Sequence, residues 1–198
     1  MKKLLITGFT PFGGEQINPS WEAVSRLPDR VGDFALTRMR IPVTFGEAAA
    51  QVIAAARSMT PDVIISVGQA AGRSAVTPEF VAINLRHANI PDNAGNRPLD
   101  LPVIAGGPAA YFSTLPVRRM VGAISAAGIA AAPSYSAGTF VCNDVFYTLS
   151  AHFAGSETQV GFIHIPYLPE QARGEKPSLP LASMCTALCA AIEAIDSV

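Results

Sequence analysis

Three side chains in this sequence are of the types that carry out acyl transfer together, although they lie far apart in the chain. Cys142 follows the small-residue run Ser136-Ala137-Gly138-Thr139-Phe140-Val141 and stands where a helical pattern begins. A thiol at a helix N-terminus faces aligned backbone N–H groups, and that field favours the thiolate. His164 comes twenty-two residues later, inside the apolar, strand-like run Phe162-Ile163-His164-Ile165-Pro166. Glu79 lies sixty-three residues before the cysteine, just after Thr77-Pro78, at what reads as a strand start. A nucleophile, a base and an acid that orients the base are the parts of cysteine-dependent acyl transfer. Each residue also has a plainer reading: a packed structural thiol, a core histidine and an exposed strand-end carboxylate.

The other candidates carry less. Cys185 and Cys189 sit one helical turn apart near the C-terminal end, but no histidine or third cysteine accompanies them. They read as packing residues, and no metal is expected. His87 and His152 have polar neighbours and read as surface residues. The loop Gly8-Phe9-Thr10-Pro11-Phe12-Gly13-Gly14 lacks the glycine spacing of a nucleotide cradle, and Pro11 removes an N–H that a phosphate would need. Its two phenylalanines suit a small apolar or cyclic group better. Phe140 and Asp144 occupy the places where a hydrolase elbow has glycine.

These residues need a frame that brings them together. Lys3–Thr7 and Val63–Val67 read as buried parallel strands, Phe34–Ile41 as a half-exposed strand and Val160–Ile165 as the last strong strand. Asn18-Pro19 opens a helix to about Leu27 as N-cap and first-turn proline. Thr44-Phe45-Gly46-Glu47 is a capping-box pattern for a helix to about Met59. Further helices are expected from Leu115-Pro116 to about Gly128, from Cys142 to about Phe153, and from about Ser178 onward. Glu79–Leu85 looks extended, Pro133–Ala137 reads as a strand, and His87–Gly107 is a long loop rich in turn residues. Strands alternating with helices over the whole length predict a single α/β domain, with an open, largely parallel or mixed sheet. In such sheets the ligand crevice lies at the carboxyl ends of the strands. Gly8-Phe9, Gly68-Gln69, Gly138–Phe140 and His164 all fall near such ends.

Composition narrows the class. With 198 residues, 49% of them hydrophobic, the chain can build one sizeable core. Fourteen basic residues against fifteen acidic ones argue against a nucleic-acid partner. Met1-Lys2-Lys3 begins like a signal peptide, but the apolar run Leu4-Leu5-Ile6 behind it is too short. No apolar stretch approaches the roughly 18 residues of a membrane span. Three cysteines, an odd number, read as thiols in a reducing cytosol.

With these residues in view, the chain resembles the pyroglutamyl peptidase I (pyrrolidone-carboxylate peptidase) family of cysteine peptidases over nearly its whole length. The resemblance is carried by Gly8–Gly14 with Asn18-Pro19-Ser20, and by Val67-Gly68-Gln69-Ala70 with Gly72-Arg73, Pro78-Glu79 and Ala82-Ile83-Asn84. Ile90–Gly95, Ser136–Asn143 and Phe162–Gln171 continue it. It implies a catalytic triad of Cys142, His164 and Glu79. It also implies a lactam pocket lined by Phe9, Phe12 and Phe140, with backbone groups near Gln69 and Val141 holding the ring amide. An α/β/α sandwich, no cofactor, a homo-oligomer (often a tetramer) and peptides with N-terminal pyroglutamate as substrates follow from the same resemblance. Two positions depart from the family pattern: Phe80 follows Glu79, and Asn89 precedes Ile90-Pro91, where arginines are usual. A cysteine amidase on another lactam or acyl amide, and a weakly catalytic binder of cyclised N-termini, are the competing expectations.

Overall fold

The apolar runs become the middle of a sheet, because strands covered on both faces must be hydrophobic throughout. In the computed structural model, residues 1–172 and 174–196 are described. In chain order the elements are β1 (Lys2–Phe9), α1 (Pro19–Val24), β2 (Arg30–Val31), β3 (Phe34–Ile41), α2 (Glu47–Met59) and β4 (Val63–Gln69). There follow β5 (Thr77–Pro78), β6 (Val81–Ile83), β7 (Ala110–Phe112), α3 (Val117–Ala126), α4 (Val141–His152), β8 (Gln159–Ile165) and α5 (Leu181–Glu193). The main sheet has the order β2-β3-β1-β4-β8-β5. Its inner pairs are parallel, and the two edge strands run antiparallel to their neighbours. β6 and β7 form a separate antiparallel ribbon.

Side-chain alternation along the central strands divides the core in two. Leu4, Ile6, Ile65, Val67, Ile163 and Ile165 meet Val24, Met120 and Leu188 of α1, α3 and α5 on one face. Leu5, Phe9, Ile64, Val160 and Phe162 meet Val52, Val145 and Leu149 of α2 and α4 on the other. The result is the α/β/α sandwich that the family resemblance implies. By the same parity Gly68 and His164 point toward the α4 layer, and they stand opposite each other in the β4–β8 register.

The differences from the expected elements have local causes. α1 ends at Val24 and continues as turns through Leu27, because the residue before Pro28 is pushed out of helical geometry. The Thr44–Glu47 capping box does not form. Gly46 precedes α2 at φ 73°, no side chain caps the helix, and the Gly46 N–H donates instead to Asp144 Oδ2 at 2.8 Å. Pro133–Ala137 is not a strand. Ser134 exchanges backbone hydrogen bonds with Pro78 and Phe80, and Ala132 donates to Val76, but Pro78 has no N–H to give the Ala132 carbonyl and the ladder stays broken into isolated bridges. β7 went unrecognised in the sequence because three residues after Pro108 show no periodicity.

The long loop is held by Asp92. Its Oδ1 accepts from the N–H groups of Ala94 and Asn96, and its Oδ2 from the Phe45 N–H and the Asn96 side chain. Burial alone would raise this carboxyl, but these donors outweigh it and hold it below the ordinary aspartate value. A depressed carboxyl stabilises the fold above its unfolded pKa and loses that contribution as the pH falls through the folded one. Asp92→Ala is therefore expected to cost about 2 kcal/mol at neutral pH, from buried donors left unpaired. In denaturant titrations the gap to wild type should narrow below about pH 4. A gap that stays constant with pH would show that charge plays no part.

Candidate active site

The site is assembled at the carboxyl edge of the parallel strands. β1 brings Phe9, β4 brings Gly68 and Gln69, β8 brings His164, and α4 starts there with Phe140 as N-cap and Cys142 in its first turn. Gly68 is obligatory for a steric reason. A Cβ built on it would lie 2.8 Å from Cys142 Sγ and 2.8 Å from Phe162 Cζ. The sulfur therefore rests directly over the strand next to the one that carries His164. Gly68→Ala is expected to displace the sulfur, lowering kcat about 10- to 100-fold and stability by about 1–3 kcal/mol. Steady-state kinetics and denaturant unfolding check both numbers, and a wild-type kcat would mean the thiol has room to move.

His164 is buried, and its Nδ1 lies 2.7 Å from Glu79 Oε1. Glu79 is fully buried, and its own N–H donates to the Phe162 carbonyl at 2.9 Å, tying it to the histidine's strand. An ionised carboxylate can only accept, so Nδ1 carries the proton and Nε2 is left as the basic nitrogen. Burial pulls His164 below the ordinary histidine value, against the raising effect of Glu79. Burial would raise Glu79, but hydrogen bonds to His164, Ser134 and Arg73 hold it down. Burial pushes the Cys142 thiol up to about 12, with the Glu79 charge adding to the rise and Arg73 opposing it. Burial thus works against the thiolate that the helix start favours.

A cavity of about 430 Å³ opens beside these groups. Cys142, His164, Phe9, Phe12, Gln69, Phe140 and Val141 all line it, so the structure brings together every expected site residue except Glu79, which stands behind His164. Phe12 and Phe45 both pack on the Phe140 ring, with centroids at 6.1 and 5.3 Å. Arg73, Asn18, Val43, Ser136 and Ala137 also line the cavity and were not assigned to it from sequence. Asn18 reads first as a helix cap, a role it also fills by accepting from the Ser20 N–H. Arg73 sits in a glycine-containing loop with no periodic pattern, where only the family resemblance draws attention to it. Asn89 is exposed and outside the cavity lining. Phe80 lies outside it as well, stacked on Tyr135 at 5.2 Å with the Arg118 guanidinium over its ring.

An α/β/α fold with a thiol and an imidazole lining one cavity, and a buried acid on the imidazole, is the arrangement of a cysteine-dependent hydrolase. Comparison with known proteins narrows that class. The pyroglutamyl peptidase family model matches residues 2–197. The pyrrolidone-carboxylate peptidase of Erwinia tasmaniensis is 52% identical over 191 residues, covering 95% of this chain and 90% of that protein. The Levilactobacillus brevis protein of the same name is 51% identical over 198 residues, covering 98% and 97%. The crystal structure of Bacillus amyloliquefaciens pyroglutamyl peptidase I superposes with a TM-score of 0.95 at 48% identity, covering 98% of this chain and 97% of that one. The chain belongs to the pyroglutamyl peptidase family.

Proposed function

We propose that this protein removes N-terminal pyroglutamate from peptides, as a cysteine peptidase with Cys142 as nucleophile, His164 as general base and Glu79 as the acid that orients it. The observation that carries this reading is the 2.7 Å His164–Glu79 hydrogen bond behind a phenylalanine-lined cavity that Cys142 shares.

As Cys142 Sγ attacks the pyroglutamyl carbonyl carbon, its proton passes to His164 Nε2. The oxyanion meets backbone N–H groups at the start of α4, including that of Cys142. The tetrahedral intermediate then expels the amine, which takes the proton from His164 as the C–N bond breaks. Water, deprotonated by His164, attacks the thioester, and pyroglutamate leaves as the thiol is restored. Phe9, Phe12 and Phe140 flank the lactam, and backbone groups of Gln69 and Val141 hold its ring amide. An ordinary N-terminus carries an ammonium, whose burial among these rings without a partner would be costly. The test is turnover of a pyroglutamyl fluorogenic amide beside the matching glutaminyl and prolyl amides. Selective hydrolysis of the first is expected. Absence of turnover would leave a binding role, and equal turnover of all three would remove the lactam specificity.

The same reading makes residues 1–198 one catalytic domain that works as a homo-oligomer in the cytoplasm. The exposed apolar side chains Leu99, Leu101, Phe112 and Tyr135 favour an assembly. The three unpaired cysteines favour a reducing compartment. Light scattering of the purified protein and fractionation of the source cells test the two points. No helix of the described residues is long and apolar enough to cross a membrane.

A further inference from the structure

We propose that Arg73 is a positioning residue of this active site, which neutralises Glu79 so that His164 rests uncharged and ready to act as a base. The inference rests on the function proposed above and adds a fourth group to it.

The geometry around Glu79 is lopsided. Both charged or titratable donors converge on one carboxylate oxygen: His164 Nδ1 and Arg73 Nη1 each lie 2.7 Å from Oε1. The other oxygen, Oε2, is buried and takes part in neither of these bonds, and the Ser134 side chain also lowers the carboxyl. Glu79 itself is fully buried, whereas the Arg73 side chain is 29% exposed and reaches it from the cavity wall. The guanidinium is otherwise occupied. It donates to the Thr77 hydroxyl from Nη1 and to the Ser136 carbonyl from Nη2 at 3.0 Å. Its contacts thus join the edge strand β5, the triad acid and the run that leads into the cysteine helix. A planar fork with several donors can hold three such segments at once, whereas a lysine ammonium would hold fewer.

The electrostatic consequence follows from counting charges. A buried carboxylate beside a neutral imidazole carries a full uncompensated charge, and the usual response is to protonate the imidazole. An imidazolium has no free lone pair at Nε2 and cannot accept the thiol proton. Arg73 supplies the compensating charge from the other side, so the imidazole need not. The charged or titratable groups facing His164 are Glu79 from the segment between β5 and β6, Cys142 from α4, and Arg73 from the loop between β4 and β5. Its nearest ring neighbour, Phe162, is apolar, with centroids 4.8 Å apart. The Arg73 charge lowers His164, adding to the larger effect of burial, and it also works against the rise of the Cys142 thiol.

The test compares wild type, R73Q and R73K on a pyroglutamyl amide across pH. In R73Q the acid limb of kcat/KM should move up by about one pH unit or more, the size of shift one close charge produces. At neutral pH kcat should fall at least about 10-fold, with KM within about threefold, since Arg73 acts through the base and not on the lactam. R73K keeps the charge, so its acid limb should stay with wild type while kcat falls part of the way. An R73Q acid limb that does not move overturns the proposal, whether kcat is wild type or lowered by altered packing. So does an R73K limb that moves as far as that of R73Q. If R73Q does not fold, 15N NMR of the histidine ring nitrogens in wild type decides. A neutral His164 protonated on Nδ1 at pH 6 supports the proposal, and an imidazolium at pH 7 overturns it. A wild-type protein that cleaves no pyroglutamyl amide would sink the proposed function instead, and the NMR titration would still judge Arg73.

Discussion

Cys142→Ser should remove turnover, by at least about a thousandfold in kcat, and leave the fold in place. The size of the effect comes from the base. Burial pulls His164 below its ordinary value, which leaves it a modest proton acceptor. That suffices for a thiol that ionises as it attacks, but a serine hydroxyl is far less acidic. The fold should be indifferent, because the side chain lines a cavity and oxygen for sulfur is a small change in volume. Kinetics and thermal unfolding together check the claim. Cys185 and Cys189 are internal controls. Both lie on α5, packed against the core on the far face of the sheet, where Cys185 Sγ contacts the Ala23 carbonyl at 3.6 Å. If Cys185→Ser or Cys189→Ser abolished turnover and Cys142→Ser did not, the nucleophile would be misassigned.

His164→Ala should cost at least about a hundredfold in kcat, the low end for losing a general base. Glu79→Gln should cost less, because the imidazole keeps its place on β8 and loses only the partner that fixes its tautomer. The second substitution carries a separate structural penalty. It leaves the Arg73 guanidinium without its carboxylate, and breaking a partly buried pair on one side is destabilising. Glu79 is held below its ordinary value in the fold. Its stabilising contribution is therefore present above the unfolded pKa and disappears as the pH falls through the folded one. The stability gap between wild type and Glu79→Gln should accordingly close toward acid, while the kcat gap persists at neutral pH. His152→Ala and His87→Ala should be close to silent, since His87 pairs with Asp100 at the surface and His152 ends α4 far from the cavity. A near-wild-type kcat in either triad variant would remove that residue from the mechanism.

Much of this architecture is legible in the sequence because its signals are local. The runs Leu4–Thr7, Val63–Val67 and Val160–Ile165 can only be strands buried on both faces, and Asn18-Pro19 is a helix start in any context. A cysteine at a helix start and a histidine near the end of an apolar strand are local features too. So the residue types, the α/β class and the edge where the cavity lies were all within reach. Local signals fail where the partner is remote. The Thr44–Glu47 box is intact as a pattern, yet Asp144 on another helix takes over the Gly46 N–H. Pro133–Ala137 has the composition of a strand, but its neighbour lacks the regular donors of a ladder.

The site divides in the same way. Chain order and residue type already determined that a thiol, an imidazole and a carboxylate were available, and that the loops around them were aromatic and glycine-rich. Only the tertiary structure decided how those groups are charged. Protonation depends on burial and on neighbours brought in from distant segments, and neither varies with sequence spacing. A helix start alone favours a thiolate at Cys142, but burial and the Glu79 charge in the folded site work against it. Arg73 shows the same limit most sharply. In the sequence it is one arginine in a loop, and only the packing of β5 against β8 sets its guanidinium on the oxygen that His164 also uses.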